Sequence, residues 1–497
     1  MRHAVFLAIA VFSLMQAGAS IAAVTVARIT TIPACTLFVD VAFAGASTGT
    51  VKRPYKTIAT AVAKAPGGAI ICVAEGVYAE NLLPGLKFFT LAGGFQSGMD
   101  FKQRDSAAFV TRAEGDGGSF IRIEDPGPQG NQLTAIDGFD ISGYSQAVYR
   151  DIFYSQRFDL TNNFIHDNVC DSPGLIGAGF ALGNVSGKIE NNVLARNRCS
   201  RGGAGALGDS TNENTVAIIG NLVDSNAGTE VQISHGGGLY LFANRLTVTD
   251  NAFVNNRVTG WGAGLYVGAF TGGGQFTSAK LTWNTYRGNR AGNAGGGFFC
   301  DDSAKCVSDH EVYDGNCGGN IFLDSGPGGS APTIASFDHL TVIGGRSVGC
   351  SALGAGVLID KNNTAKDRYA FTNAIFWGNA PAGDFATSCG SGCGAVTVDV
   401  TYSLVQKAFG NGGVAVNFGT GNIAAVNPRF VAPAAGDFHL KSIFGHWTAG
   451  GYVADTVNSP ALAKGDPDGA VNNNPPRAGN RSELGAYGNS SEASYVR

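Results

Sequence analysis

Residues 220–256 read GNLVDSNAGTEVQISHGGGLYLFANRLTVTDNAFVNN, and two marks within this stretch decide the architecture. Asn226 and Asn256 each close a short alternating run, GNLVDSN and NAFVNN, 30 residues apart. Between them Gly236-Gly237-Gly238 opens Leu239-Tyr240-Leu241, where a strand places Leu239 and Leu241 on one face and Tyr240 on the other. Arg245 to Thr249 alternates in the same way.

Working outward, the first mark recurs as NNFIHDN ending at Asn168, NNVLARN at Asn197, NTYRGN at Asn289, EVYDGN at Asn316 and NAIFWGN at Asn379. Successive marker Asn residues lie 29, 29, 30, 33, 27 and 63 residues apart, the last interval being two periods with FDHLTVIGG (Phe337 to Gly345) in the missing coil. The second mark recurs as GAGFAL from Gly177, GAGAL from Gly203, GAGLYV from Gly262, GGGFFC from Gly295 and GAGVLI from Gly354. Glycine occurs 73 times without a three-residue period, which excludes collagen and fits frequent tight turns. A helical solenoid would need helices of about ten or more residues, and this glycine density forbids them. The expected fold is therefore all-β: a single-stranded right-handed parallel β-helix of about a dozen coils, stacked at the ~4.8 Å interstrand spacing. The marker Asn amides should then bond from coil to coil as a ladder.

Such a rod needs covered ends. Tyr55, Ile58, Val62 and Ala65 fall at helical spacing in PYKTIATAVAKA, and Pro66-Gly67-Gly68 ends that segment. Before it, Met1-Arg2-His3 and the apolar run Ala4 to Met15 lead to small residues at Ala17-Gly18-Ala19 and Ser20-Ile21-Ala22, the pattern of an export signal. The expected organisation is a signal peptide at 1–23, an N-terminal strand and helix cap at 24–70, the β-helix at 71–423, an irregular C-terminal cap at 424–488 and a frayed tail at 489–497. The chain is expected to be secreted (extracellular, cell surface or periplasmic), as a monomer without a membrane span. A net charge of −4 with 14% charged residues provides no basic excess for nucleic acid.

FVD (Phe38 to Asp40), KRPYKTIATAVAKAPGGAIICVAEGVYAE (Lys52 to Glu80), LAGGF with QRD (Leu91 to Asp105) and DGFDISG (Asp137 to Gly143) resemble the N-terminal part of bacterial proteins with the pectin-lyase-like parallel β-helix. NPRF, GDFHL, SPALAKGD and RSELGAYG near the end resemble the C-terminal part of the choice-of-anchor Q group of that superfamily. The resemblance spans nearly the whole mature chain and implies scaffold and caps rather than one activity.

Ten cysteines in an exported chain favour disulfides. Cys170 and Cys199 each lie two residues after a marker Asn, so stacked coils make them neighbours at a separation a disulfide accepts. Cys35 and Cys72 flank the cap helix and are plausible partners. If the set is complete, short loops favour Cys300–Cys306 and Cys389–Cys393, leaving Cys317–Cys350. Zinc is the rival for the CGSGC stretch, with no His nearby. No nucleotide, haem or structural zinc is expected, and at most weakly held calcium: GAGALG (Gly203 to Gly208) spells a dinucleotide fingerprint but belongs to the repeat.

Carbohydrate cleavage on this scaffold needs two placed acids, or a carboxylate neutraliser with a base. Asp301, Asp302 and His310 are the catalytic candidates, within the densest titratable group of the repeats, whose plainer reading is a polar loop closed by Cys300–Cys306. His235 falls on a glycine turn, where a solvated ring is expected. For binding, Arg198, Arg257 and Arg290 share the position after the marker Asn and should form a broken row that meets acidic sugars, or a solvated face with ion pairs such as Asp167 with Arg196. Tyr240, Tyr266 and Phe299 share an outward strand position and should stack as a column, either for sugar rings or as rings that merely suit a strand or lie under a long loop such as FTGGGQFTSAK (residues 270–280). Polysaccharide binding is the leading expectation, with a polysaccharide lyase or glycoside hydrolase and a structural surface protein as alternatives.

Overall fold

One coil explains the rest. The chain runs through Thr215–Ile219, turns at Gly220, continues through Leu222–Asp224, and after the glycine turn forms Leu239–Phe242 before the next coil begins with Arg245–Thr249. Each strand pairs in parallel with its counterpart in the next coil, so among the described residues three parallel sheets of 14, 13 and 10 strands form the faces of a parallel β-helix. The computed structural model describes residues 28–497 except 86, 99, 124–131, 151–154, 173, 209–213, 230–232, 243–244, 270–276, 326–331, 347–349, 351–355, 362–365, 382, 390–395 and 408–413. The signal peptide expected at 1–23 lies outside these residues.

Register follows the glycine mark. Leu239 lies beside Leu265, which lies beside Phe298, then Ile321, Val357 and Phe385, an inward column buried in one continuous core. On the second sheet Phe253, Tyr286 and Tyr313 stack inside the rod with ring centroids 5.0 and 4.6 Å apart. Each such side chain contributes about 1.5–3 kcal/mol through burial, and repetition along the rod makes this the main stabilising term.

The marker Asn residues form the expected ladder: Asn168, Asn197, Asn226, Asn256 and Asn289 each donate from Nδ2 to the Oδ1 of the next, ending at Asn316, over 2.9–3.1 Å. A second ladder, not foreseen, runs beside it through Asn163, Asn192, Asn221, Asn251 and Asn284 and ends on the buried carboxylate of Glu311. Where the coil of Phe337 to Gly345 lacks a marker Asn, Asn320 supplies the rung from another part of the chain, accepting from Asn316 and donating to Asn379.

At the N-terminal end the helix Ile58–Lys64 buries Ile58, Ala61 and Val62 over the first coils. Its start is capped by Thr57, and the Glu80 carboxylate accepts from the N–H groups of Ile58 and Ala59 at 2.8 and 2.7 Å. The C-terminal segment lies along the flank of the rod: Phe430, Phe438, Leu440, Leu484 and Ala486 share a core with Val312, Ile375 and Leu404 of the second sheet. The tail from Asn489, expected to fray, is instead held, with Ser494 donating to the Glu483 carboxylate and Val496 to the Arg477 carbonyl. Disulfides join Cys35–Cys72, Cys170–Cys199, Cys300–Cys306 and Cys317–Cys350. Cys389 is disulfide-bonded as well, while Cys393, its expected partner, lies outside the described residues.

Candidate functional site

The three catalytic candidates do not form one site. Asp301 follows the third-sheet strand Phe298–Cys300, whereas His310 sits in the turn between the first and second sheets, at another corner of the coil. Asp301 is 7% exposed and accepts from the Tyr266 hydroxyl. Burial first, then the nearby charges of Asp302 and Asp324, push its carboxyl well above the usual range. Burial also raises Asp302. His310 is occupied elsewhere: its Nε2 donates to the Gly488 carbonyl at 2.7 Å, its Nδ1 lies 2.7 Å from Asp309, and its ring stacks between Trp283 and His339. The sequence places these residues close together, but a coil carries them to different faces, so they do not act as a trio.

The aromatic column also needs correction. Tyr240, Tyr266, Phe299 and Phe322 do align on the outer side of the third sheet, with successive ring centroids 4.8, 4.8 and 4.4 Å apart. Tyr266 and Phe299 are nevertheless only 7% and 3% exposed, packed into a second apolar cluster with Ala294 and Leu358. A ring that is already covered offers no face to a sugar. The partly open members are Tyr240, Phe242 and Trp261. His235, expected in solvent, stacks on Trp261 at 5.1 Å with the planes 7° apart.

The arginine row is intact and longer than expected. Arg198, Ala227, Arg257, Arg290, Cys317 and Arg346 occupy one register position in consecutive coils, so four arginines follow one line across five coil steps. All four are exposed. Adjacent coils at this corner are 4.9 Å apart, measured between the Cα atoms of Cys170 and Cys199. Arg198 pairs with Asp171 at 3.2 Å, and the neighbouring row carries the pair Arg196–Asp167 at 2.7 Å. Arg346 follows Gly345, which stands where a marker Asn would be, so no marker signals its place in the row.

Beside this row lies a groove of about 550 Å³ lined by Gly228, Arg257, Val258, Thr259, Arg290, Gly292 and Cys350. None of these described lining residues is acidic. Such a site suits a planar carboxylate, which Arg can engage with two parallel N–H donors. A second groove of about 500 Å³ lies between the rod and the C-terminal segment, where Trp377 and Phe430 adjoin Arg429 and Lys441.

No family model and no curated protein matches the sequence. Among solved structures, one described as the complex structure of XylC with xylose is 9% identical at a TM-score of 0.40, covering 80% of this chain and 87% of that one. The crystal structure of pectate lyase Pel9A is 12% identical at a TM-score of 0.38, covering 91% of this chain and 97% of that one. The parallel β-helix assignment rests on the sheets of this chain itself.

Proposed function

We propose that this protein is an exported β-helix rod that binds an acidic polysaccharide lengthwise along the row Arg198, Arg257, Arg290 and Arg346. The observation that carries this reading is the line of four exposed arginines at one register position, two of which, Arg257 and Arg290, stand one coil apart in the lining of the groove. A rod with a fixed repeat presents like charges at regular intervals, and a linear polymer with carboxylates at a similar repeat can meet several of them at once. Export fits the disulfides, which are stable in oxidising compartments, and among the described residues no helix is long and apolar enough to cross a membrane. The resemblance of the C-terminal segment to the choice-of-anchor Q group fits a surface-displayed protein of this kind.

The cleaving alternative has one observation in its favour, the acid pair Asp301 and Asp302 with raised carboxyls, but the pair is largely buried and lacks a partnering base from His310. The test incubates the secreted protein with neutral and acidic polysaccharides and follows retention together with new reducing or unsaturated ends. Retention of acidic polymers without product is expected, weakened roughly 2- to 30-fold in an Arg257→Ala/Arg290→Ala variant, as two exposed charge contacts imply. Product lost in Asp301→Ala would establish the enzyme instead. Retention of no polymer would leave a structural surface protein.

A further inference from the structure

We infer that Asp309, His310, His339 and Asp338 form a binding site for a divalent transition-metal ion of the zinc class, at the seam where the C-terminal segment meets the rod. Asp309 and Asp338 are register partners at the ends of consecutive first-sheet strands, so the turn residues after them, His310 and His339, lie one above the other. Both adopt left-handed backbone, φ 58° and 48°, and their rings stack 5.1 Å apart. This brings the donor atoms of Asp309, His310 and His339 within 4.8 Å of one another.

The hydrogen bonds fix which atoms face inward. A carbonyl only accepts, so the 2.7 Å contact to Gly488 puts a proton of His310 on Nε2, while Nδ1 faces Asp309 Oδ1 at 2.7 Å. Metal-binding imidazoles are commonly oriented by such a bond from the other ring nitrogen. His339 is 4% exposed, and neither of its ring nitrogens has a hydrogen-bond partner. Its Nδ1 stands 3.6 Å from Asp309 Oδ1 and 3.2 Å from Asp338 Oδ1 without the alignment of a hydrogen bond to either, and Asp338 Oδ1 itself accepts from the His339 N–H at 3.0 Å and from Asn373 Nδ2 at 2.7 Å. Asp309 Oδ1 is buried and equally without a hydrogen bond.

Orphaned nitrogen and oxygen atoms directed at one another are costly unless something lies between them. Ligands about 2.0 Å from a tetrahedral zinc stand roughly 3.3 Å from each other, and the separations 2.7, 3.2 and 3.6 Å bracket that value. Two imidazoles with two carboxylates suit zinc, copper or nickel, whereas calcium takes six or more oxygens. Two carboxylates also balance a dication. Gly488 ties the site to the C-terminal segment, and a Cβ there would collide with the Glu483 carbonyl and with the His339 ring. The ion would staple that segment to the rod. The sequence alone gave no reason to expect zinc, because the two histidines are 29 residues apart and become neighbours only through the coil register.

The test uses the untagged secreted protein, stripped with chelator and dialysed. One equivalent of Co²⁺ should bind with the visible absorption of a four-coordinate site, and Zn²⁺ should displace it and raise Tm. His339→Gln and Asp309→Asn should each weaken Zn²⁺ binding roughly a hundredfold or more while leaving the circular dichroism of the metal-free protein unchanged. Failure of the folded wild type to take up an equivalent of Co²⁺ or Zn²⁺ overturns the inference whatever the variants do. Wild-type affinity in folded His339→Gln overturns it as well.

Discussion

His235 shows how much a single position depends on what stacks above it. It lies on a glycine turn, yet Trp261 of the next coil covers its ring and Arg201 is close. Burial first and the Arg201 charge second hold its pKa down to about 4, from an ordinary value of 6.5. Between these values the unfolded chain takes up a proton that the folded protein refuses, so stability from this residue is complete above pH 6.5 and is lost as pH falls toward 4. His235→Phe keeps the stacked ring and removes the titration. Its Tm should drop less than that of the wild type between pH 7 and pH 4.5 in thermal melts, and equal drops would show that His235 is not the group responsible. The position of His235 on a turn, equivalent to that of Trp261, was legible in the sequence because each precedes the first glycine of a mark; that the two rings cover each other was not, because it depends on side-chain packing that has no period.

Among the elements, the Asn ladders do most to fix the coils. Asn226 accepts from the N–H and the side chain of Asn197 and donates to Leu194 and Asn256, all out of contact with water. Asn226→Ala would leave these partners unsatisfied and should cost about 2–4 kcal/mol in denaturant melts. Asn320 fills a rung from outside the periodic position, so Asn320→Ala should cost a similar amount, although no marker pattern singles it out. A loss below about 1 kcal/mol would mean that backbone pairing alone holds the register there. The ladder was readable where the same residue recurs at the same interval, and unreadable at Asn320, where geometry replaces periodicity. The outward aromatics follow the same division: alternation gave the face of Tyr266 and Phe299, but whether that face is open depends on packing that has no period.

At the scale of the molecule, a rod turns small sequence regularities into long surface features. Arg198, Arg257 and Arg290 were legible as a row because each follows a marker Asn, while Arg346 joined only when the coil without a marker was placed. The C-terminal segment was legible as a cap, but its position along the flank, and with it the meeting of His310 and Gly488, depends on tertiary contacts that sequence spacing does not encode. An exposed arginine contact is worth only about 0.2–1 kcal/mol and is screened by salt, so the proposed binding needs several rungs together and should weaken steeply as ionic strength rises. The most direct measurement is amide hydrogen exchange with and without a polymer of uronic acid at low salt. Protection should follow one corner of successive coils, at residues 226–229, 257–260 and 290–292. Protection confined to the turns around His310 and His339, or no change anywhere while the polymer is retained, would contradict the arginine row as the binding face.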